Sequence, residues 1–349
     1  MNADDFDNIN VYEALVKCEV QMSRHHEIVV SVSGGSDSDI MMDMIERTKK
    51  PYNNIRYVFF DTGLEYAATK RHLEYLEKRY GVTIERVKGM PIPACIKKYG
   101  QPFLSKHVSD MLGRMQAHGF KWEWFDTVEE MRKAYPDMPI GTLRFWTNAR
   151  KNGSRSMFNI DWHPDLKEFL VENPPQFKIG SQCCTYSKKK PAHEYRKNCG
   201  ADMDCVGVRR AEGGIRAANY KNCFTPGDDL DHFRPLFWLT DEDKRDYEKQ
   251  FEIVHSDCYT KWGFQRTGCV GCPFNIKITK EIEKVEQYEP MMAKACKTIF
   301  KDSYEYTRQY REYHAEKMAR KKQPEGAISV FDYLKELPTE QIGEREAEQ

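Results

Sequence analysis

The chain has no surplus of either charge. Lys and Arg total 54, and so do Asp and Glu. No global field holds it on nucleic acid or a membrane surface, so any nucleic-acid contact must come from a local patch. Long apolar runs are also missing: no stretch approaches the ~18–20 residues that a membrane span needs. The opening residues MNADDFDNIN are acidic and polar, unlike a secretory signal. Enough remains for a core, because 40% hydrophobic and 12% aromatic residues exclude global disorder. A length of 349 residues accommodates one large α/β domain with additions, or two domains. Eleven cysteines without a secretory signal point to a reducing compartment, the cytoplasm. There, clustered cysteines bind metal or do chemistry more often than they form disulfides. Cys18, Cys95, Cys199, Cys205 and Cys296 stand singly and are expected to be buried or incidental thiols.

The organising stretch is Glu27–Asp39, EIVVSVSGGSDSD. Ile28, Val29, Val30 and Val32 predict a buried parallel strand. Ser33-Gly34-Gly35-Ser36-Asp37-Ser38 breaks it, and a helical pattern follows from Asp39. A strand that runs through two glycines into a helix N-terminus is an anion site. The glycines let backbone N–H groups approach phosphate oxygens, and the helix dipole favours negative charge. Ser33, Ser36 and Ser38 add hydroxyls. The alternative is an ordinary turn with a serine cap; the full SGGSDS string after a strand favours the anion site.

Around this stretch, Val11–Arg24 predicts a helix, Ile55–Phe60 a strand, Leu64–Tyr80 a helix, Val82–Val87 a strand and Ala201–Val208 another strand. That order predicts an α/β fold with a doubly wound parallel sheet and ligands outside the carboxyl ends of its strands. Residues 1–90 and 181–275 are expected to form the two halves of this α/β domain. Residues 91–180 would be a mostly helical insertion, and 276–349 a charged helical C-terminal extension. Within the insertion, KKYGQPFLSKH and GFKWEWF are expected to cover a nucleotide or grip a partner. The aromatics there are expected in the core rather than on a stacking platform.

SGGSDS resembles the SGGxDS loop of the ATP pyrophosphatases, the adenine nucleotide alpha-hydrolases. It has no GK[ST] of the Walker loop. The resemblance implies ATP bound by Ser33, Gly34, Gly35, Ser36, Asp37 and Ser38 and cut between its α- and β-phosphates. Asp61, Thr62, Gly63, Glu65 and Thr69 match the DTGxExxxT string of the PAPS-reductase branch, with alanine replacing its proline. They are expected to line the nucleotide pocket, the alternative being a turn with a helix cap. Gly207, Arg209, Glu212 and Arg216 resemble the family's GxRxxESxxR, with Gly213 in place of serine. Arginines at a strand end clamp phosphate or sulfate bidentately; the alternative is a surface charge cluster. Pro235-Leu236-Phe237-Trp238 resembles PLxxW and is expected to pack, ahead of an acidic helix Thr240–Gln250.

Cys269-Val270-Gly271-Cys272 places two thiolates at i and i+3, and a tetrahedral sulfur set then needs two more cysteines from elsewhere. Cys183-Cys184 stands upstream and Cys258 nearer. The resemblance implies a [4Fe–4S] cluster on either of two patterns. Assimilatory APS reductases use a CC pair with CxxC; the sulfur-transfer subunit of DNA phosphorothioation uses one upstream cysteine with C…CxxC. Cys184, Cys269 and Cys272 belong to both, while Cys183 and Cys258 compete for the fourth place, Cys258 being preferred for its nearness to CxxC. Zinc is the structural alternative. Lys188 and Pro191 match the reductase CCxxxKxxP, which implies a basic group facing nucleotide or cluster.

The reductases' C-terminal ECGLHxG has no counterpart in VFDYLKELPTEQIGEREAEQ. The resemblance therefore implies sulfur transfer, with ATP adenylating a DNA or tRNA acceptor and a desulfurase or other partner subunits supplying sulfur. Sulfonucleotide reduction is the runner-up and a non-catalytic ATP-binding module the third possibility. Asp37, Lys188, Arg209 and Arg216 are the expected catalytic residues, and Asp37 or Asp61 would meet magnesium on the pyrophosphate.

Overall fold

The computed structural model describes residues 2–149, 158–213 and 220–321. Arg216 and the C-terminal stretch VFDYLKELPTEQIGEREAEQ lie outside the described residues. The chain divides into two compact units, Met1–Ser109 with Lys178–Lys301, and Asp110–Phe177 with Asp302–Gln349.

The first unit is built on a six-stranded sheet of order β3-β2-β1-β4-β6-β5. Its strands are β1 Glu27–Ser31, β2 Asn54–Asp61, β3 Ile84–Lys88, β4 Met203–Val206, β5 Phe224–Thr225 and β6 Asp231–Phe233. All neighbours pair parallel except β5 with β6. The period of two along β1 divides its side chains between two cores. Ile28 and Val30 join Met41, Ile45, Leu15 and Leu73 on one face, and Val29 joins Val58, Phe60 and Ala201 on the other. Helices α1 Ile9–Arg24, α2 Ser36–Thr48 and α3 Ala67–Tyr80 supply the first face. A doubly wound sheet results, with the chain leaving β1 toward β2 and β3 and returning on its other side as β4. That reversal is the switch point where such sheets bind ligands.

Local chemistry sets several boundaries differently from the periodicity. α2 starts at Ser36 rather than Asp39, because Gly35 O already accepts the N–H groups of Ser38 (2.8 Å) and Asp39 (3.0 Å). α3 starts at Ala67 rather than Leu64, since Leu64 O is taken by Val270 N–H at 2.9 Å. α4 Ile92–Tyr99, α5 Lys106–Ala117, α6 Val128–Ala134, α7 Ile140–Trp146, α8 Leu166–Glu172 and α9 Lys190–Asn198 follow. A π-helical turn, Thr185–Lys189, runs into α9. α10 Asp241–Gln250 opens on a capping box between Thr240 and Asp243. α11 Asp257–Thr260, α12 Ile278–Tyr288, α13 Pro290–Ile299 and α14 Lys301–Lys321 complete the series.

The second unit centres on aromatics. Phe120, Trp122 and Trp146 are buried and meet edge to face, and Phe169 packs against Tyr306 and Tyr310. GFKWEWF thus places Phe120 and Trp122 in a core, while its Trp124 is 53% exposed. Among the described residues no helix is long and apolar enough to cross a membrane.

Candidate active site

β1 delivers the chain to the switch point, and two glycines let it turn there. Gly34 sits at φ +66°, and a Cβ on it would stand 2.7 Å from Thr69 Cγ2. Ser33 N–H donates to Ser38 Oγ (2.9 Å) and Gly35 N–H to Ser33 Oγ (3.3 Å), which folds the loop over the first turn of α2. From the opposite strand, Gly207 presses on that turn: a Cβ there would lie 3.0 Å from Asp37 O. A polar cavity of about 230 Å³ opens above, lined by Ser33, Gly35, Ser36, Asp37, Ser38, Gly207 and Arg209 together with Lys244, Tyr259, Arg266 and Thr267. The end of a helix N-terminus inside a cavity of this size suits a phosphate or pyrophosphate.

Cations crowd Asp37. Lys244 Nζ donates to Asp37 Oδ1 (2.7 Å) and to Ser36 Oγ (2.6 Å), and Arg209 Nε stands 3.1 Å from Asp37 Oδ2. Arg209 also donates to Asp241 Oδ1 at 2.8 Å. Burial works against its guanidinium, but Asp37 and Asp241 outweigh it and raise the pKa. Lys244 carries no motif signal, because its helix reads as acidic and packing. The signal available was position: the fourth residue after a Thr240 cap faces back along the capped turn.

Beneath the loop runs a buried chain of charge. His72 Nε2 and His255 Nδ1 stand 3.0 and 2.7 Å from Asp39 Oδ2, and His255 Nε2 lies 2.8 Å from Glu248 Oε1. Glu248 in turn is 3.7 Å from Lys244. Burial disfavours the His255 cation, yet the two carboxylates prevail and raise its pKa to about 9.

The Asp61–Glu65 segment goes to the thiols rather than to the lining of this cavity. Gly63 N–H donates to Asp61 Oδ1 (2.8 Å), and Thr62 Oγ1 donates to Glu65 Oε1 (2.7 Å) and touches Cys269 Sγ at 3.6 Å. Glu65 is 4% exposed; burial raises its pKa, opposed by Lys188 at 3.7 Å and by Thr62. Burial lowers the Lys188 pKa, but Cys269, Glu65 and Cys184 together raise it above normal.

Four thiols act on one another here: Cys183, Cys184, Cys269 and Cys272. Cys184 is lowered to about 6, first by the hydrogen bond from Cys183, then, against burial, by Lys106, Lys188 and Lys189. Cys183 is raised by the same bond and by burial. Burial pushes Cys272 up to about 12. Cys258, the preferred fourth ligand, is not brought to these thiols, whereas Cys183 is. It is fully buried on α11, its thiol surrounded by Ser256, Thr69, Glu289 and Asp257 and pushed up to about 11 by burial. α11 packs against α3 and directs Cys258 there. Among the described residues, no three Cys, His, Asp or Glu side chains gather closely enough to hold a metal ion.

Residues 27–140, about a third of the chain, match the family model described as the phosphoadenosine phosphosulfate reductase domain. An uncharacterized protein of Methanocaldococcus jannaschii is 34% identical over 93 residues, which are 27% of this chain and 17% of that protein. The chain thus spans about a sixth of the length of the curated relative it matches. Two solved structures align at low similarity. A phosphoadenylyl-sulfate reductase from Candida auris in a phosphate complex has 15% identity and a TM-score of 0.37, over 74% of this chain and 87% of that one. The U34-tRNA thiolase NcsA from Methanococcus maripaludis with its [4Fe–4S] cluster has 11% identity and a TM-score of 0.36, over 87% and 80%.

Proposed function

We propose that the protein is a sulfur-transferring enzyme of the ATP-pyrophosphatase type, acting in the cytoplasm on a DNA or tRNA acceptor with a desulfurase or other partner subunits. One observation carries the reading. The stretch Gln265–Cys272 lines the phosphate-sized cavity through Gln265, Arg266 and Thr267, and then supplies two of the four neighbouring thiols. Activation and sulfur delivery would therefore lie a few residues apart.

In this mechanism the acceptor oxygen attacks the α-phosphorus of ATP and pyrophosphate leaves. Backbone N–H groups at the start of α2, with Arg209 and Lys244, meet the charge that builds on the leaving group from positions fixed beforehand. Sulfur at the sulfide level then attacks the acceptor atom, and AMP departs with the former acceptor oxygen. Magnesium would arrive on the phosphates, needing only one or two protein carboxylates. Asp37 lines the cavity, with Lys244 and Arg209 on its oxygens, whereas Asp61 ends β2 outside that lining and accepts from Gly63 N–H, so Asp37 is the carboxylate placed to meet it.

Cys184 interacts with Cys183, and Cys269 and Cys272 both interact with Cys184. Four thiolates suit zinc or an iron–sulfur cluster, and the proposed sulfur transfer calls for a [4Fe–4S] cluster, which Cys183, Cys184, Cys269 and Cys272 would hold. Such a cluster would hold sulfur for transfer; Lys188 would balance its thiolate charge.

The family match over residues 27–140 favours a second reading, sulfonucleotide reduction. That chemistry needs a further nucleophilic thiol, and Cys296 is fully buried with its pKa pushed to about 12 by burial, the reverse of an activated nucleophile. The deciding experiment incubates radiolabelled ATP with and without DNA or tRNA. AMP and pyrophosphate formed in step with the polynucleotide are expected; ATP bound without cleavage, or sulfite released from an adenylyl sulfate, would overturn the proposal.

A further inference from the structure

Two segments of the first unit contain no carboxylate. Residues 87–109 carry Lys88, Lys97, Lys98 and Lys106, and residues 178–193 carry Lys178, Lys188, Lys189 and Lys190, in a chain whose charges balance as a whole. The fold joins these segments edge to edge. Gln101 N–H donates to Lys178 O (2.8 Å), Gly180 N–H to Gln101 O (2.9 Å), Met90 N–H to Tyr186 O (3.2 Å) and Ser187 Oγ to Met90 O (2.7 Å). Glycines make the approach possible: a Cβ on Gly180 would fall 2.1 Å from Tyr99 O, and one on Gly89 2.6 Å from Ser187 O. Apart from Lys188, which Glu65 and the thiols engage, all these lysines are exposed. Lys190 has Glu194 at 3.7 Å, but both are surface groups and the pair is weak.

Aromatic rings stand inside this strip. Tyr99 and Tyr186 stack with centroids 4.4 Å apart and planes 1° apart, and Lys98 Nζ lies 5.2 Å over Tyr99. Past Tyr186 opens a cavity of about 470 Å³, walled by Lys88, Met90, Lys190, Pro191 and Tyr195, with Glu194 the single carboxylate on its wall. Lysines along a surface follow a phosphate backbone, and tyrosine faces take unpaired bases; together they distinguish a single strand from a duplex, whose bases are already stacked. A carboxylate-rich protein would use the lysines and have no need of the rings. We propose that this strip binds a single-stranded polynucleotide, with an unpaired base seated against Tyr186 in the cavity. Cys184 immediately precedes the π-helical turn that carries Tyr186, so the docked strand would pass beside the thiols. The proposal deepens the sulfur-transfer reading by giving its acceptor a place, and it rests on that reading only for the bound strand being the substrate.

The test is fluorescence anisotropy of the full chain, without ATP, using labelled oligo(dT), oligo(U) and a blunt duplex of equal length at several salt concentrations. Single strands should bind at least ~10-fold more tightly than duplex, with affinity falling as salt rises. Tyr186→Ala should weaken the single strand about 5- to 150-fold, and Tyr186→Phe should restore it, because the face and not the hydroxyl is used. Lys98→Glu and Lys190→Glu, both on the surface, should each flatten the salt slope by about one. Should Tyr186→Ala not fold, Tyr186→Phe and the two lysine variants, together with the preference over duplex, still decide. No binding, equal affinity for duplex, or lysine effects with Tyr186→Ala unchanged would each overturn the proposal, the last pointing to an acidic protein partner. Strand binding without ATP cleavage would leave this surface standing and remove the enzymatic reading. ATP cleavage without strand binding would do the opposite.

Discussion

Lys244→Met isolates the cation that no motif announces. In the wild type its ammonium holds Ser36 Oγ at 2.6 Å and Asp37 Oδ1 at 2.7 Å, with the Lys244 and Asp37 side chains only 15% and 14% exposed. Breaking a buried pair costs ~3–5 kcal/mol when the survivor is left unpaired. Asp37 is not left so, because Arg209 Nε remains 3.1 Å away. The stability loss should therefore stay near ~1 kcal/mol, within the range for ordinary substitutions. For a phosphate ligand the loss is one charged hydrogen bond, ~1.5–3 kcal/mol, which is about 10- to 150-fold in Kd. Calorimetric titration with pyrophosphate and with ATP reads this directly, beside a thermal melt. Lys244→Arg should recover part of the affinity. Unchanged affinity in Lys244→Met, accompanied by a melting temperature lowered by many degrees, would make Lys244 a structural clamp on Asp37 and refute the assignment.

Further consequences follow from the surrounding geometry. His255, with its pKa raised to about 9 between Asp39 and Glu248 and with His72 and Lys244 nearby, stabilises the fold fully below its unfolded value near ~6.5. That contribution, on the order of 3 kcal/mol, is lost as pH rises through 9; melting curves from pH 6 to 10 should fall for the wild type and run flatter for His255→Gln. Anaerobically purified protein should be brown, with absorption near ~400 nm and about four irons per chain. Ser at Cys183, Cys269 or Cys272 should bleach it while Cys258→Ser keeps its iron; one zinc in a colourless protein, or iron lost with Cys258→Ser, would contradict the ligand set. Gly35→Val should abolish pyrophosphate binding in a folded protein, whereas Gly34→Val should also lower the melting temperature, because its backbone is left-handed and Thr69 Cγ2 lies 2.7 Å from the added carbon. Equal melting temperatures for the two variants would show that the loop relaxes freely.

Much of the sheet was legible because its central strands are buried on both faces and read as apolar runs: β1, β2 and β4 fall where the sequence predicts them. β5 and β6 were not, since two and three residues carry no periodicity. Local strings were legible as well. SGGSDS identifies a loop because its glycines and hydroxyls act within six residues, and Gly207-Val208-Arg209 names a strand end. Partnerships across the fold were not. Lys244 meets Asp37 from a helix 207 positions away, and Thr62 meets Cys269 across the same number. Which neighbours Cys258 meets depends on which way a four-residue helix turns, and spacing cannot supply that.

The two halves of the site also explain why Asp61–Glu65 sits where it does. At a switch point the ends of β1 and β4 diverge, and the polar cavity opens in that gap; β2, on the other side of β1, ends over different ground. Its terminal Asp61-Thr62-Gly63 is brought to Cys269 by Leu64 O receiving Val270 N–H. A reaction that first activates with ATP and then delivers sulfur needs two adjoining places of unlike character, one rich in cations and N–H groups, the other in thiols. Thr62 and Glu65 belong to the second place: both are nearly inaccessible, 1% and 4% exposed, and Glu65, holding the Thr62 hydroxyl, stands beside Lys188. On the proposed reaction, pyrophosphate and thiolate, both negative, would meet different cations, Arg209 and Lys244 for one and Lys188 for the other.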